Sequence, residues 1–259
     1  MPGRTWRFVD TGSLDGASNM TIDEALLDTF DPAASDPVFR LYGWAPPALS
    51  IGRFQNAATV LDLDRCRSER VPVVRRITGG GVIYHAEELT YALVCAPRHL
   101  PEETAVKDSY RCLNGFLLAF YRSLGLPAAY AEDSVADGSE LGERTPFCFA
   151  GRERFDILVG GRKIGGNAQR RVRNAVFQHG SIPVEDRVAR GIGFLRERPP
   201  GMDGSVASLS TMGVVLPEDE LKRRLASAFE GAFGAALIPS ELTAAEKDRA
   251  AARRHQPPR

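Results

Sequence analysis

Apolar residues recur along the chain at spacings that predict two helices, and a capping box predicts a third. One segment repeats them every three or four positions and is followed by Gly125, the pattern of an amphipathic helix with a C-terminal stop. Its apolar positions are Val106, Tyr110, Leu113, Leu117, Phe120 and Leu124. A later helix with the same spacing ends at Gly234, and its apolar positions are Leu221, Leu225, Phe229 and Phe233. The sequence T-I-D-E at 21–24 is a capping box and predicts a helix that begins near residue 20.

Runs of β-branched and other apolar residues predict strands. These runs lie at residues 38–44, 48–54, 71–74, 81–85, 90–97 and 175–184. Two further runs, RFDILV and RKIGG, meet at Gly160-Gly161, which predicts a hairpin. Strict alternation of strands and helices is absent, so we expect an α+β fold with a mainly antiparallel or mixed sheet flanked by helices. We expect one domain over residues 1–245 and a flexible tail over 246–259.

Composition narrows the class of protein. The 259 residues are 43% hydrophobic, and Lys plus Arg balances Asp plus Glu at 33 each. No global charge therefore favours nucleic acid or an anionic membrane, although a local basic patch remains possible. No apolar run is long enough for a membrane helix, and the N-terminus lacks a secretory signal. The four cysteines are scattered without metal-ligand spacing, so we expect a reduced, cytoplasmic protein with free thiols and no metal; they are Cys66, Cys95, Cys112 and Cys148.

Three consecutive glycines occur in RRITGGGVIYH, residues 75–85. The run fits neither the dinucleotide-binding pattern nor the phosphate-binding P-loop pattern. It could be a tight connection between strands, and the glycines alone do not decide between this and a ligand site. The flanking Arg75, Arg76, Thr78 and His85 favour a bare backbone against which an anion or a carbonyl-bearing chain lies.

A second glycine-rich segment, GGRKIGGNAQRR, carries Lys163 just after the predicted hairpin. An exposed lysine on an edge strand is the ordinary interpretation. The alternative is a cation held against a groove whose floor is formed by Gly165 and Gly166. A second charged, glycine-floored strand makes this functional interpretation the favoured one.

Cys148 lies in RTPFCFAGRERFD, about fifteen residues before Lys163. A cysteine between two phenylalanines is commonly a core residue. Its proline and charged neighbours indicate a loop instead, and Lys163 or a nearby arginine could supply the positive charge that lowers a thiol pKa. His85 and His179 have no visible catalytic partners in the sequence, so they remain secondary candidates.

Several ordered motifs together resemble one known family. RRITGGGVIYH is similar to the RR-x-[ST]-GGG-x-x-x-H motif of the lipoate–protein ligase and octanoyltransferase branch of the biotin/lipoate ligase superfamily. GRKIGGNAQRR followed by FQHGSI resembles the block that carries the family's invariant lysine, and NMTIDEALL and LSIGRFQN resemble its N-terminal blocks. The resemblance covers most of residues 6–235.

The resemblance implies a fold related to class II aminoacyl-tRNA synthetase cores. It also implies that Gly79, Gly80 and Gly81 line a tunnel for an eight-carbon acyl chain and that Lys163 contacts the acyl carbonyl. Further substrate-binding residues would be Arg75, His85, Gly165, Gly166, Asn167, Ala168, His179 and Gly180. The acceptor would be the lysine of a lipoyl domain, such as a glycine-cleavage H protein or a dehydrogenase E2 subunit.

Two reactions occur on this scaffold, and Cys148 favours one of them. Ligases activate lipoate with ATP and Mg²⁺, usually with an accessory C-terminal domain, for which we expect no room after the helix that ends near Phe233. Ligase-like octanoyltransferases instead take octanoate from acyl carrier protein onto a cysteine in a C-F dipeptide, and Cys148-Phe149 matches it. The resemblance thus implies a monomeric, cofactor-free octanoyltransferase with Cys148 as nucleophile and Lys163 as oxyanion stabiliser.

Two alternatives stay open from the sequence. The stretch AGRERFD is more basic than the corresponding transferase segment, which leaves an ATP- and Mg²⁺-dependent lipoate–protein ligase, aided by a separate accessory protein. The other alternative is a non-catalytic protein that binds acyl carrier protein or lipoyl domains. The sequence does not identify the general base.

Overall fold

A computed structural model describes residues 4–100, 109–134, 154–198 and 204–253. In chain order, its helices and strands are β1 (Arg4–Leu14), α1 (Gly16–Thr29), β2 (Val38–Trp44), β3 (Ala48–Ile51), α2 (Ala57–Val60), α3 (Leu63–Ser68), β4 (Val73–Arg75), β5 (Ile83–His85), β6 (Glu88–Cys95), α4 (Ser109–Ser123), β7 (Ala128–Tyr130), β8 (Ile157–Val159), β9 (Arg162–Lys163), β10 (Gly166–Val172), β11 (Ala175–Pro183), α5 (Val188–Ile192), α6 (Glu218–Phe233), β12 (Ala235–Pro239) and α7 (Ala244–Ala252).

The strands form one large sheet and two small ones. The large sheet has the order β10-β11-β6-β2-β1-β12. Its first four strands pair antiparallel, whereas β1 pairs parallel with both β2 and β12. The small sheets have the orders β4-β3-β5 and β7-β8-β9. The expected α+β class with a mixed sheet is confirmed.

Both faces of the large sheet are covered. On one face Phe39 of β2 stacks on Phe229 of α6 with ring centroids 4.4 Å apart, inside a core that also includes α4. On the other face Val38 and Tyr42 of β2 pack with Leu26 of α1. Alternate residues of a strand point to opposite faces, so a strand covered on both sides is apolar almost throughout. This explains the uninterrupted VFRLYGW of β2, in which every residue is buried.

The first helix begins earlier than its sequence pattern predicts. Asp15 is the N-cap, and its carboxylate accepts a hydrogen bond from the Ser18 amide at 2.9 Å. The helix therefore starts at Gly16 and not near residue 20. Thr21 does not cap the helix, because its hydroxyl donates to the Ser18 carbonyl within the helix at 3.0 Å. Aspartate is one of the strongly preferred N-cap residues.

The prediction of a flexible tail is wrong for residues 246–253. Thr243 and Glu246 form a capping box at the start of α7. The buried Glu246 carboxylate also pairs with Arg7 at 2.7 Å, which ties α7 to β1. A cap and a long-range ion pair order a helix that its composition alone does not require. Residues 254–259 lie outside the described residues.

The predicted hairpin and the two predicted amphipathic helices are confirmed; the first of these helices is α4, and Val106 at its predicted start lies outside the described residues. β8 and β9 pair antiparallel around Gly160 and Gly161, both of which have positive φ, as a tight two-residue turn requires. α6 ends at Gly234, whose left-handed conformation closes the helix. In the described part of the chain, no helix has the length and apolar character to cross a membrane.

Replacing Phe229 with alanine should lower the free energy of unfolding by about 3 to 5 kcal/mol, because the ring fills the core between α6 and the sheet. Denaturant titration measures this loss. Phe54→Ala is the matched control, since its ring is 86% exposed and its removal should change stability by less than about 0.5 kcal/mol. Equal losses in the two variants would contradict this view of the core.

Candidate functional site

A pocket lies between the α1 side of the large sheet, helix α1 and the small sheet β4-β3-β5. It encloses about 370 Å³ when its open mouth is included. Its floor follows from strand register, because Gly166 lies opposite Ser181 and Ser181 lies opposite Thr90. In the neighbouring row Ala168 lies opposite His179. Residues two apart on a strand share a face, so these small side chains leave an open space above the sheet.

The walls of the pocket carry larger apolar side chains. Met20 comes from α1, Tyr42 and Trp44 from β2, and Ile83 from β5. The Trp44 ring stacks on the His85 ring with centroids 3.8 Å apart. Its indole N–H donates to the Thr90 hydroxyl at 2.8 Å, which fixes the ring plane. The walls formed by these side chains are therefore apolar, and the Trp44 ring is held in one orientation.

A buried hydrogen-bond network surrounds His85. Its Nε2 lies 2.7 Å from the Ser50 hydroxyl, and its Nδ1 lies 2.7 Å from the Glu88 carboxylate. Glu88 also accepts from the hydroxyls of Ser181 at 2.6 Å and Thr90 at 2.5 Å. Burial alone would raise the pKa of Glu88, but His85 and these hydrogen bonds lower it below its ordinary value. The carboxylate stays charged and holds three side chains of the pocket in place.

His179 connects the pocket to α1 and to the glycine run. Its Nδ1 lies 3.3 Å from the Asp23 carboxylate, and its Nε2 lies 2.7 Å from the Thr78 hydroxyl. Burial lowers the pKa of His179 below 6.5, although Asp23 acts in the opposite direction. At neutral pH the ring is therefore uncharged, so Nδ1–H donates to Asp23 and Nε2 accepts from Thr78.

The two arginines before the glycines donate hydrogen bonds to backbone carbonyls. The buried Arg76 guanidinium donates to the carbonyls of Gly79 and Gly81 at 2.8 and 2.7 Å. Arg75 donates to the carbonyls of Gly52 and Gln55 at 3.1 and 2.7 Å. The glycine run is thus wrapped around an arginine side chain, which itself lines the pocket. Gly80 is exposed at φ +96°, so its contact with an acyl chain stays a prediction.

Lys163 is buried, so its interpretation as an exposed edge-strand residue is wrong. Its ammonium pairs with the Asp156 carboxylate at 2.7 Å. Its backbone pairs with Leu158 of β8 on one side and with Val206 on the other. Because a buried charge is tolerated only with a partner, Asp156 fixes the ammonium at this point, three residues before the pocket floor begins at Gly166.

Two glycines are needed where β10 and β11 meet above Tyr91. A Cβ on Gly180 would lie 2.2 Å from the Asn167 side-chain oxygen and 2.6 Å from the Tyr91 ring. A Cβ on Gly165, which has φ +100°, would lie 2.4 Å from the Ser181 carbonyl. The Tyr91 hydroxyl donates to Asn167 at 2.6 Å and so fixes that amide at the pocket.

The structure brings together six of the residues predicted to bind substrate. The six that line the pocket are His85, Gly166, Asn167, Ala168, His179 and Gly180. Sequence reasoning missed the walls and the two carboxylates behind them. The missed residues are Met20, Asp23, Tyr42, Trp44, Ser50, Ile83, Glu88, Thr90 and Ser181. The strand predicted for VFRLYGW does place Trp44 at its end. No pattern in the sequence predicts that the Trp44 ring stacks on His85.

Two of the described cysteines, Cys66 and Cys95, are buried and are therefore poor nucleophiles. Burial raises the pKa of the Cys66 thiol to about 11 and that of Cys95 to about 12. Cys112 is half-buried on α4. Cys148 lies outside the described residues. The described residues contain no cluster of three or more side chains suited to hold a metal ion.

Comparison with known proteins identifies one family that matches most of the chain. The model of the lipoyl protein ligase A/B catalytic domain matches residues 15–230. The chain is 34% identical to octanoyltransferase LipM of Exiguobacterium sp. over 94% of its length and 92% of that protein. It is 32% identical to octanoyltransferase LipM of Bacillus subtilis over 96% of its length and 93% of that protein.

Solved structures share the fold. A lipoate-protein ligase A bound with ATP has a TM-score of 0.78 at 23% identity, over 97% of this chain and 93% of that one. A putative lipoate protein ligase from T. acidophilum with bound lipoic acid has a TM-score of 0.77 at 22% identity, over 95% and 93%. At these identities the likeness supports the architecture alone.

The neutral, buried His179 should make stability depend on pH. The unfolded imidazole binds a proton near pH 6.5 and the folded one only at a lower pH, so the free energy of unfolding should fall as the pH drops through 6.5. The slope contributed below pH 6.5 is at most about 1.4 kcal/mol per pH unit. His179→Gln should flatten this slope, as denaturant titrations at each pH would show.

His99 needs its own control, because burial lowers its pKa to about 4 and gives a slope of the same sign. Wild type, H179Q, H99Q and the double variant therefore form one set. An unchanged slope in H179Q would contradict a neutral folded imidazole.

Proposed function

Because this chain belongs to the family of lipoyl protein ligase A/B catalytic domains, we propose that it takes an octanoyl group from acyl carrier protein, holds it as a thioester on Cys148 and passes it to the lysine of a lipoyl domain. Octanoyl transfer in protein lipoylation is supported by the LipM relatives. The likeness to them along nearly the whole chain is the observation that carries the choice of reaction. The solved ligases share only the fold at 23% identity and do not favour an ATP-dependent reaction.

The pocket supports an acyl chain as ligand. Its walls are Met20, Tyr42, Trp44 and Ile83, and small side chains form the floor beneath them. Burial of a methylene contributes about 0.8 kcal/mol, so seven methylene or methyl carbons would contribute roughly 5 to 6 kcal/mol. That is enough to anchor the chain without polar contacts to it.

The first step would be attack of the Cys148 thiolate on the thioester carbonyl. A carbon–sulfur bond to the enzyme forms, the bond to the carrier breaks, and the carrier leaves as a thiolate that takes up a proton. The Lys163 ammonium, held by Asp156 at 2.7 Å, is the cation we assign to the oxyanion. A fixed cation stabilises the tetrahedral intermediate without first having to reorient.

The second step would be attack of the acceptor lysine amine on the acyl-enzyme. The amine must lose its proton first, because a lysine is charged at neutral pH. The carbon–nitrogen bond forms, the carbon–sulfur bond to Cys148 breaks, and the second proton released by the nitrogen is taken up by the departing Cys148 thiolate. We propose the lipoyl domains of H protein and E2 subunits as acceptors; one structural neighbour is an archaeal ligase solved in a study of its E2 lipoyl domain. Neither step uses ATP or a metal, and we propose residues 1–245 as one catalytic domain to which α7 is added.

Incubation with octanoyl-acyl carrier protein should give an enzyme mass increased by one octanoyl group, and Cys148→Ala should lose it. Intact mass spectrometry measures the adduct. Cys112→Ala is the matched control, because Cys112 is the described cysteine that is not fully buried, and it should retain the adduct. Full transfer to H protein by C148A would reject the acyl-enzyme, and transfer that requires ATP and free lipoate would identify a ligase.

Lys163→Met should lower the rate of acylation by about 10²- to 10³-fold, which is the usual effect of removing one oxyanion donor. Single-turnover kinetics with octanoyl-carrier protein measure this rate. The variant leaves Asp156 buried without Lys163, so the double variant Lys163→Met/Asp156→Leu serves as the folding control. Wild-type acylation in a folded variant would remove Lys163 from the mechanism.

A further inference from the structure

A second pocket adjoins the first at Arg76, which lines both. It is open to solvent and encloses about 1070 Å³ with its mouth. Its charged lining is five arginines and two carboxylates: Arg53, Arg75, Arg76, Arg170 and Arg253, with Glu24 and Asp28. The whole chain is balanced at 33 positive and 33 negative residues, so this excess of cations is local.

The two carboxylates do not neutralise the pocket. Glu24 and Asp28, both on α1, pair with Arg253 after α7. Asp28 also pairs with Arg249 at 2.8 Å. Both carboxylates of the pocket are therefore already paired with arginines of the C-terminal segment. The arginines on the opposite side of the pocket do not share these ion pairs.

Arg53 and Arg170 form that opposite side. Among the residues that the structure describes, neither guanidinium makes an ion pair. Arg170 has a long hydrogen bond to the Ile77 carbonyl at 3.5 Å, and Arg53 lies over the Phe54 ring at 5.5 Å. Burial and the positive charge of Arg53 lower the pKa of Arg170, although the more weakly acting Glu24 and Asp28 carboxylates oppose this shift. Two neighbouring positive charges that form no direct ion pair are the arrangement that an anionic partner would stabilise.

The loop that carries Arg53 is held rigid. Arg75 donates to the carbonyls of Gly52, Arg53 and Gln55 at 3.1, 3.0 and 2.7 Å. Phe54 at the tip of this loop is 86% exposed. An arginine beside an exposed aromatic ring is the composition enriched in protein interfaces, and a preorganised loop lowers the entropic cost of binding.

Strand geometry places this surface beside the acyl pocket. Arg170 follows Ala168 by two residues on β10, so both side chains are on the same face, about 7 Å apart along the strand. Arg76 separates the two pockets. A protein seated on Arg53, Phe54 and Arg170 would therefore adjoin the pocket into which it delivers its acyl group.

We propose that Arg53, Phe54 and Arg170 form a docking surface for a carboxylate-rich face of the carrier protein that donates the acyl group. This proposal rests on the proposed octanoyl transfer and adds the site of the donor to it. Carboxylates of the partner pair with the two guanidinium groups, and its apolar rim covers Phe54.

Calorimetric titration with acyl carrier protein that bears no acyl group tests docking without turnover. The double variant Arg53→Gln/Arg170→Gln should bind about tenfold more weakly, a loss of about 1.4 kcal/mol. The control is Arg67→Gln/Arg223→Gln, which removes two positive charges outside this surface. Their side chains are 72% and 75% exposed, and the control variant should bind as wild type does. Salt at about 0.5 M should abolish the difference between wild type and R53Q/R170Q, and Phe54→Ala should weaken binding at both salt concentrations.

Steady-state kinetics provide the second measurement. For octanoyl-carrier protein, KM should rise in R53Q/R170Q with kcat unchanged, whereas an octanoyl thioester of N-acetylcysteamine should show no change. Equal binding of wild type and variant overturns the proposal, as does weakened binding of the lipoyl-domain acceptor alone or an equal loss with the small thioester. If wild type transfers octanoate from neither donor, the proposed function fails, while the titration still decides whether the surface docks the carrier.

Discussion

A fully buried ion pair between Arg40 and Asp23 joins the large sheet to α1, and the pocket is built around it. The two charged groups are 2.6 Å apart with side chains 0% and 1% exposed. Such a pair is stable only when its remaining hydrogen-bonding groups are also satisfied. Arg40 donates to Asn19 and Thr11, and Asp23 accepts from the Tyr42 hydroxyl. Position and rotation of α1 on the sheet are thereby fixed.

The ion pair between Arg40 and Asp23 is connected to the pocket through His179. Asp23 accepts from both Arg40 and His179, and His179 accepts from Thr78 at the head of the glycine run. A shift of α1 would therefore move the polar end of the pocket as well as the helix. This coupling explains why a pocket with apolar walls has a buried aspartate and a buried histidine at its border: they order its walls, and burial keeps the imidazole uncharged.

Local patterns predicted the elements whose signals are local. The 3.6-residue spacing gave α4 and α6, and the glycine pair gave the β8–β9 hairpin. β1 was missed because its sequence, RTWRFVDTGSL, alternates poorly, and its parallel partner β12 lies more than 200 residues away. The burial of Lys163 was missed for a similar reason. Its partner Asp156 precedes it by seven residues, and only the pairing of β8 with β9 brings them together.

The cations of this chain divide into two groups with different physical roles. Arg40, Arg76 and Lys163 are buried, and each is held in place by carboxylates or carbonyls of its own chain. Such groups organise backbone, as Arg76 does when Gly79 and Gly81 close around it. Arg53 and Arg170 differ, since among the described residues neither forms an ion pair and the charge of Arg53 acts on Arg170. A local excess of positive charge at the rim of a rigid pocket does not add to the stability of the fold, because like charges repel. A partner of opposite charge would remove this repulsion, which is the physical basis of the proposed docking surface.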